Sequence, residues 1–288
     1  MELERPFRIP VVKPCEEDCF LVTAIVSTYN SEVFMRGCIE DLVSQTLFKK
    51  GELEILVIDS GSLQSERSIV EEFQRYHQTI VYIRTDREPL YVAWNRAITL
   101  ARGRYLTNAN TDDRHRRDAL ETLARTLDEH PRIALVYGDM AMTATPNETF
   151  ETIRKRHIYR FADYDRNNLL GDGRCGPQPM WRKELHAELG GFVEEFKVAS
   201  DYEWWVRISE EYSLMRIPET LSLYLKRADS IENRQLDVAE AETELIQKYY
   251  RAREPGFDVS KISQMPRNGF ARALWKLKRS VKKRLCGN

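Results

Sequence analysis

The stretch YLTNANTDD, residues 105–113, decides the fold predicted for this chain. Its apolar start is typical of the end of a buried strand, and its small polar residues lead to two adjacent carboxylates, Asp112 and Asp113. Two acids at the carboxyl edge of a strand repel each other. A divalent cation, Mn²⁺ or Mg²⁺, held together with a diphosphate is the commonest compensation on an α/β scaffold. The same residues also fit a simpler interpretation, in which Asp112 caps a helix beginning near Arg116 and Asp113 is a solvated acid of its first turn.

Short apolar runs alternate with segments of helical spacing over the first half of the chain. The predicted strands are 20–27, 54–58, 80–84 and 105–108, and the predicted helices are 33–45, 68–77 and 91–101. This alternation predicts a parallel, doubly wound α/β sheet. Polar loops at 28–31, 59–62 and 110–113 follow three of the strands, and in such a sheet they meet at the carboxyl edge, where ligands bind. Neither a Gly-x-Gly-x-x-Gly loop nor a P-loop is present, so neither of those nucleotide-binding folds is indicated.

The composition indicates an ordinary globular protein. Of 288 residues, 42% are hydrophobic and 31% are charged, and no apolar run approaches the length of a membrane span. The acidic N-terminus has no apolar core, so we expect no secretory signal. Five scattered cysteines, read as free thiols, fit a reducing cytoplasm. They are Cys15, Cys19, Cys38, Cys175 and Cys286.

Several ordered motifs carry a family resemblance. They are VSTYN at 26–30, EILVIDSGS at 54–62, the run from WNRA at 94–97 to YLTNANTDD, and LDEHP at 127–131 with the strand 133–137 that follows. On these motifs the sequence resembles the inverting, GT-A type nucleotide-sugar transferases of glycosyltransferase family 2, over about residues 20–225. The resemblance implies an α/β fold with a Rossmann-like, mostly parallel sheet flanked by helices. It also implies a nucleotide-sugar donor, with UDP as the expected nucleotide.

The resemblance implies a role for each matched position in the first half. Asp112 and Asp113 would hold the metal ion, Mn²⁺ or Mg²⁺, on the diphosphate. Two departures from the family pattern stand out: Ser60 replaces the second acid of a base-binding pair, and Asn110 stands where many relatives have the first Asp of the metal motif. The residues expected to bind the nucleotide are Thr28, Tyr29, Asn30, Asp59, Ser60, Asn95 and Asp112.

In the second half, the family places acceptor recognition and the general base. A helix is predicted over 180–189, closed by Gly190, and Gln178 is assigned to the acceptor. A further helix should begin near Ser200, with Trp204 anchoring its start and contributing to acceptor binding. Asp201 in its first turn matches the family's general base, the carboxylate that takes a proton from the acceptor hydroxyl. Glu203 is the nearest competitor, and an ordinary helix N-terminal acid is the simpler alternative for Asp201.

The last fifty or so residues are predicted to be helical, and the final stretch is strongly basic. We expect a charged helix over 236–250 that closes the domain, and a basic amphipathic helix over 270–285. The second fits either contact with anionic lipid or docking on the protein itself. After Asp258 there are nine positive charges and no acid, which leaves the rest of the chain acidic; nucleic acid is therefore not expected as a partner. The predicted organisation is an arm at 1–19, a transferase domain at 20–230 divided at residue 140 into donor and acceptor halves, and a helical extension at 231–288.

Taken together, the sequence predicts an inverting glycosyltransferase acting on a glycan or lipid-linked acceptor, as in bacterial surface polysaccharide synthesis. The expected location is the cytoplasm, at the inner face of the membrane if the 270–285 helix binds lipid. The alternative is a non-catalytic nucleotide-sugar or glycan-binding module on the same fold, which the departures at Ser60 and Asn110 favour. The oligomeric state, the sugar and the linkage leave no readable pattern in the sequence.

Overall fold

A computed structural model describes residues 20–153, 157–171 and 174–251. The predicted arm at 1–19 and the predicted basic helix at 270–285 lie outside the described residues. The strands are β1 Phe20–Thr28, β2 Leu53–Asp59, β3 Ile80–Arg84, β4 Gly103–Asn108, β5 Arg114–His115, β6 Ile133–Thr143, β7 His157–Tyr159, β8 Met180–Arg182 and β9 Ser213–Leu225. The helices are α1 Glu32–Ser44, α2 Thr46–Lys49, α3 Glu66–Gln74, α4 Leu90–Leu100, α5 Ala119–Glu129, α6 Arg166–Leu170, α7 Leu185–Leu189, α8 Ser200–Glu211, α9 Ile231–Arg234 and α10 Leu236–Arg251.

The first half of the chain forms the parallel sheet that the sequence predicts. Its strands lie in the order β3-β2-β1-β4, and all three neighbouring pairs are parallel. Every residue of β2 is buried, as expected for a parallel strand covered on both faces. One apolar cluster packs α1, α3 and α5 against the sheet, and a second cluster packs α4, α8 and α10 against it. The register pairs Thr28 with Asp59, so β1 and β2 end side by side and their polar loops share one edge.

The second half completes the same sheet with mixed pairing, in the order β4-β8-β6-β9-β5. The prediction of a helix over 180–189 is wrong in its first part. Met180–Arg182 is a fully buried strand, antiparallel to both β4 and β6, and only Leu185–Leu189 is helical. A short apolar run does not distinguish a buried strand from a buried helix by its periodicity, and here the gap between β4 and β6 decides it. Gly190 ends the helix with a positive φ of 85°, as expected.

The predicted helix over 236–250 is confirmed as α10, which begins at Leu236 and ends at Arg251. It packs closely on the rest of the described chain, because Ile246 and Tyr250 are buried in the same apolar cluster as α8. The described part of the extension is thus continuous with the core of the domain. No helix in the described ranges is both long and apolar enough to cross a membrane.

Candidate functional site

The loops after β1 and β2 are bonded to each other at the carboxyl edge of the sheet. Asn30 has a positive φ of 50°. Its side-chain oxygen accepts a hydrogen bond from the Leu63 N–H at 2.8 Å, and its own N–H donates to Ser62 Oγ at 3.1 Å. Asn30 therefore holds the two predicted nucleotide-binding loops in one fixed arrangement.

Asp59, at the end of β2, is fully buried and already has partners for both carboxylate oxygens. Oδ1 accepts from the Ser62 N–H at 2.7 Å. Oδ2 accepts from the Tyr82 hydroxyl at 2.5 Å and from Arg84 Nη1 at 3.0 Å. Sequence reasoning missed Tyr82 and Arg84, although β3 was predicted and its register sets Arg84 opposite Asp59. These contacts fix the Asp59 carboxylate in the wall of the predicted base pocket.

Three more predicted nucleotide-binding residues lie at this carboxyl edge of the sheet and differ in solvent exposure: Thr28, Tyr29 and Ser60. The Thr28 hydroxyl is buried and has no hydrogen-bond partner in the described structure. Ser60 is also buried, and its N–H donates to the Thr28 carbonyl at 3.0 Å. Tyr29 is exposed, and the Arg87 guanidinium carbon lies 3.8 Å from its ring centroid. A cation stacked on an exposed aromatic ring is a rigid flat surface of the kind that planar ligands contact.

Asn95, expected at the nucleotide, is engaged in another set of contacts. Its amide receives the Phe192 N–H at 2.8 Å and donates to the Phe192 carbonyl at 2.9 Å and to Glu194 at 2.9 Å. A Cβ at Gly191 would lie 2.5 Å from the Asn95 side-chain oxygen, so the backbone there approaches as closely as only glycine allows. In this structure, Asn95 joins α4 to the segment before α8.

The two adjacent acids after β4 have unlike surroundings. Asp113 is 2% exposed; its Oδ2 accepts from Asn110 Nδ2 at 3.0 Å, and its Oδ1 accepts from the Leu225 N–H at 3.1 Å. Burial, together with the neighbouring charge of Asp112, raises the pKa of Asp113 to about 7. The side chain of Asp112 is 20% exposed, and its Oδ2 lies 3.2 Å from Arg227 Nε. Asp112 is therefore the more accessible of the two carboxylates.

Arg114, the residue after these acids, holds the backbone of their loop through hydrogen bonds. Its Nη1 donates to the carbonyls of Thr111 at 2.8 Å and Asp113 at 2.6 Å, while its Nη2 donates to Asn147 Oδ1 at 2.7 Å. A Cβ at Gly37 would lie 2.4 Å from Arg114 Nη2, so α1 needs a glycine there for the guanidinium to fit. The backbone of the acidic loop is thus held by a buried cation that no local sequence pattern indicated.

A cavity of about 510 Å³ beside α1 lies next to this support. Arg114 and His115 line it, and His115 Nδ1 lies 2.7 Å from Asp41 Oδ2. None of the residues predicted for the donor, the metal or the acceptor lines this cavity. The sequence-predicted site is the loop edge described above and is separate from this cavity.

Asp201 lies in the first turn of α8, as predicted, and is tied to the N-terminal end of α4. Its Oδ1 accepts from the Tyr202 N–H at 2.8 Å and from the Tyr91 hydroxyl at 3.3 Å. The same hydroxyl lies 2.6 Å from the Val198 carbonyl. Burial raises the pKa of Asp201 to about 6, against the opposing effects of these hydrogen bonds and of the Arg174 charge. A carboxylate with such a pKa is deprotonated at neutral pH and basic enough to accept a proton.

The other two residues singled out on α8 are buried. Glu203 is fully buried and pairs with Arg207 on the next turn through two hydrogen bonds, of 3.0 and 2.5 Å, while the Tyr250 hydroxyl donates to it at 2.7 Å. Both of its carboxylate oxygens are therefore occupied by protein partners. Trp204 was predicted to anchor the start of α8 and to contribute to acceptor binding; the anchoring is seen, and the acceptor contact stays a prediction. Its side chain is 0% exposed and stacks on His186 with ring centroids 4.2 Å apart, so it anchors α8 in the core.

Gln178 lies in the segment directly before β8, which packs beside the end of β4. The carbonyls on either side of it are held by β4: Asn108 Nδ2 donates to Pro177 at 2.6 Å, and Thr107 Oγ1 donates to Pro179 at 2.9 Å. Gln178 itself is 5% exposed, and neither atom of its amide has a hydrogen-bond partner among the described residues. Unpartnered buried amides are rare in folded proteins because they lose hydration without replacement.

A carboxylate on α10 holds the backbone that precedes Asp201. Glu242 is fully buried, and it accepts three backbone hydrogen bonds, at 2.9, 3.0 and 3.0 Å, from the N–H groups of Lys197, Val198 and Ala199. The Val198 carbonyl in turn receives the Tyr91 hydroxyl that contacts Asp201. Helix α10 therefore positions the segment that precedes Asp201, which the sequence did not indicate.

We expect Glu242→Ala to loosen this segment. Each buried N–H that loses its acceptor costs about 1–3 kcal/mol, so the free energy of unfolding should fall and the amides of Lys197, Val198 and Ala199 should lose hydrogen-exchange protection. Glu240→Ala, at an exposed position of the same helix, is the matched control and should change neither quantity. Unchanged protection of the three amides in Glu242→Ala would contradict this assignment.

Solved structures share the architecture described above. The S. aureus protein TarS in complex with UDP superposes with a TM-score of 0.62 at 18% identity, covering 83% of this chain and 68% of that one. The mannosyltransferase PcManGT from Pyrobaculum calidifontis, in complex with GDP-Man and Mn²⁺, superposes with a TM-score of 0.59 at 18% identity, covering 88% of this chain and 69% of that one. At such identities the likeness concerns the fold alone, which is the GT-A type of the glycosyltransferases.

The sequence comparisons identify the family. Residues 23–190, more than half of the chain, match the family described as Glycosyl transferase family 2, and the chain belongs to that family. Chondroitin synthase of Escherichia coli is 26% identical over 190 residues, which make up 66% of this chain and 26% of that protein. The uncharacterized glycosyltransferase MJ1057 of Methanocaldococcus jannaschii is 24% identical over 238 residues, 82% of this chain and 79% of that protein. This chain therefore spans about a quarter of the synthase and most of the archaeal relative.

Proposed function

We propose that this chain transfers a sugar, with inversion, from a nucleoside diphosphate sugar to a hydroxyl group of a glycan or lipid-linked acceptor. Membership of family 2 supports the class of reaction. The observation that carries the proposal is the state of Asp201, a carboxylate with a pKa raised to about 6 at the start of α8, held by Tyr91 and Tyr202. Perturbed carboxylates with such fixed geometry are typical of catalytic bases.

In the proposed reaction, Asp201 accepts the proton of the acceptor hydroxyl as that oxygen attacks the anomeric carbon. The new carbon–oxygen bond forms on the face opposite the diphosphate, and the bond from the anomeric carbon to the diphosphate breaks with its electron pair leaving on the diphosphate. One carboxylate is enough for this chemistry, because the leaving group needs no proton. The Tyr91 hydroxyl and the Tyr202 N–H hold Oδ1, so the direction of the carboxylate is set before the acceptor binds.

The acidic loop offers a divalent cation, Mn²⁺ or Mg²⁺, two carboxylates as protein ligands, Asp112 and Asp113. Within the described ranges, no cluster of three or more His, Cys, Asp or Glu side chains is arranged to hold a metal ion. Mg²⁺ is often bound by only one or two carboxylates together with substrate phosphates and water, which suits Asp112 with a share from Asp113. The ion would neutralise charge that develops on the diphosphate. Of the structural relatives, PcManGT was solved with Mn²⁺.

The nucleoside of the donor would bind at the carboxyl edge of the sheet, against Thr28, Tyr29, Asp59 and Ser60. The unpartnered side-chain amide of Gln178 would contact the acceptor. TarS was solved with UDP and PcManGT with GDP-Man, and UDP is the nucleotide that we expect this chain to bind. Synthesis of a polysaccharide, as the name of chondroitin synthase indicates for that relative, is the proposed setting. The cytoplasm is the proposed location, at the inner face of the membrane if the predicted helix over 270–285 binds lipid.

The direct test is hydrolysis of a panel of nucleotide sugars with Mn²⁺ or Mg²⁺. We expect wild-type protein to hydrolyse one donor slowly and Asp112→Asn to reduce this rate by about 100-fold or more, because the accessible carboxylate at the diphosphate is lost. Asp118→Asn is a suitable control, since Asp118 is an exposed partner of Arg116 outside the site.

The outcome also separates the proposal from its alternative, a non-catalytic binding module. Such a module would be thermally stabilised by a nucleoside diphosphate with Mn²⁺ but would hydrolyse no donor and transfer no sugar. If wild-type protein neither binds nor cleaves any donor of the panel with either metal, the glycosyltransferase proposal fails.

A further inference from the structure

We propose that Arg227 is a binding residue for the diphosphate of the donor and supplies a positive charge of the protein's own at that position. This inference rests on the proposed function. Neither the sequence motifs nor the resemblance to family 2 singled out Arg227, which follows β9 and is more than 100 positions from the acidic loop. Three features of the structure carry the inference, and each is described in turn below.

The first feature is position. β9 ends against the acidic loop, because the Leu225 N–H donates to Asp113 Oδ1 at 3.1 Å. Two residues further on, Arg227 Nε lies 3.2 Å from Asp112 Oδ2. The guanidinium carbon also lies 4.7 Å from the ring centroid of Phe34 on α1, which supports the side chain from one side. Arg227 is thus placed beside the accessible carboxylate of the pair.

The second feature is unused hydrogen-bonding capacity. The Nε atom of Arg227 lies 3.2 Å from Asp112 Oδ2 and 3.5 Å from Asp229 Oδ1, but its N–H is left without a hydrogen bond. Its two Nη groups have no acceptor among the described residues. Arg114, by contrast, donates through both Nη groups to protein acceptors. The Nε atom is buried, but the Arg227 side chain as a whole is 30% exposed, so its two Nη groups are the donors available to an incoming oxyanion.

The third feature is charge. Arginine binds phosphate with two parallel N–H donors, and such charge-assisted pairs are stronger than neutral hydrogen bonds. Asp112 on its own would repel a diphosphate, and a cation next to it offsets this repulsion. Because the guanidinium is part of the chain, we expect part of the affinity for a diphosphate to persist when divalent metal is removed by a chelator.

The test measures binding of UDP, GDP and dTDP, and of the matching nucleosides, by calorimetry with Mg²⁺ and again with EDTA. For the diphosphate that wild-type protein binds, we expect Arg227→Gln to weaken binding by roughly 10- to 100-fold under both conditions. Binding of the nucleoside should be unchanged, because it has no phosphate for the guanidinium to contact. Arg227→Lys keeps the positive charge but not the paired N–H donors of the guanidinium. Its affinity for the diphosphate should lie between those of wild type and Arg227→Gln.

Arg234→Gln is the matched control. Arg234 shares the partner Asp229 with Arg227, but it is 66% exposed and is not paired with Asp112, so its removal should leave all affinities unchanged. If Arg227→Gln binds the diphosphate as tightly as wild type, or loses nucleoside and diphosphate equally, the role of Arg227 is overturned while the proposed function stands. If wild-type protein binds none of the diphosphates under either condition, both proposals fall together.

Discussion

Asp201→Asn should lower the rate of sugar transfer by about 10²–10⁴-fold, the usual contribution of a positioned general base, while donor binding stays close to that of wild type. Asparagine has nearly the same shape and keeps an oxygen that can accept from Tyr91 and Tyr202, so the fold around it should be retained. The measurement is transfer from the identified donor to an acceptor, with donor affinity determined separately. A variant that transfers at the wild-type rate would exclude Asp201 as the base.

The pH dependence of kcat/KM is a second test of Asp201 as the base. The base must be deprotonated, so kcat/KM should rise with pH with its midpoint at about 6, the raised pKa of Asp201, and level off at higher pH. The Tyr91 hydroxyl lowers this pKa by its hydrogen bond to the carboxylate. Tyr91→Phe should therefore move the midpoint of the profile to higher pH, which a purely structural role for Tyr91 would not do.

The largest effect on stability is expected from Arg207→Ala. It leaves the carboxylate of Glu203, 0% exposed, without its paired cation, and breaking a buried ion pair in this way costs about 3–5 kcal/mol. The loss also removes the contact of the guanidinium with the Trp204 ring, where the guanidinium carbon lies 4.9 Å from the centroid, and its hydrogen bond to the Leu189 carbonyl. Urea unfolding at neutral pH measures the change in free energy.

Arg67→Ala is the control for this variant. Arg67 and Glu71 also form an arginine–glutamate pair one helical turn apart, but their side chains are 65% and 47% exposed. Exposed pairs contribute little because water screens them, so this variant should unfold at nearly the wild-type urea concentration. Equal destabilisation by the two substitutions would show that burial is not what makes the Glu203–Arg207 pair important.

Prediction from sequence succeeded where the signal is local. The parallel half of the sheet, α1, α4 and α10, and the position of Asp201 at the start of α8 all come from short patterns of apolar residues and polar loop ends. The prediction was wrong at Met180–Arg182, which is a strand and not the start of a helix. A short apolar segment is compatible with both, and only its neighbours in space select one.

The sequence by itself determined the family, the order of strands and helices in the donor half, and the acids proposed to carry the chemistry, because those features lie within single motifs. Only the tertiary structure decided which of the acids are accessible. Glu203 is buried and paired with Arg207 and Tyr250, and Asp113 is buried with hydrogen bonds from Asn110 and Leu225, while Asp112 is the more accessible acid. The tertiary structure also placed Arg227 beside Asp112 and Glu242 against the segment that precedes Asp201. Contacts between residues far apart in the chain exist only after the sheet and helices have packed, and no spacing in the sequence encodes them directly.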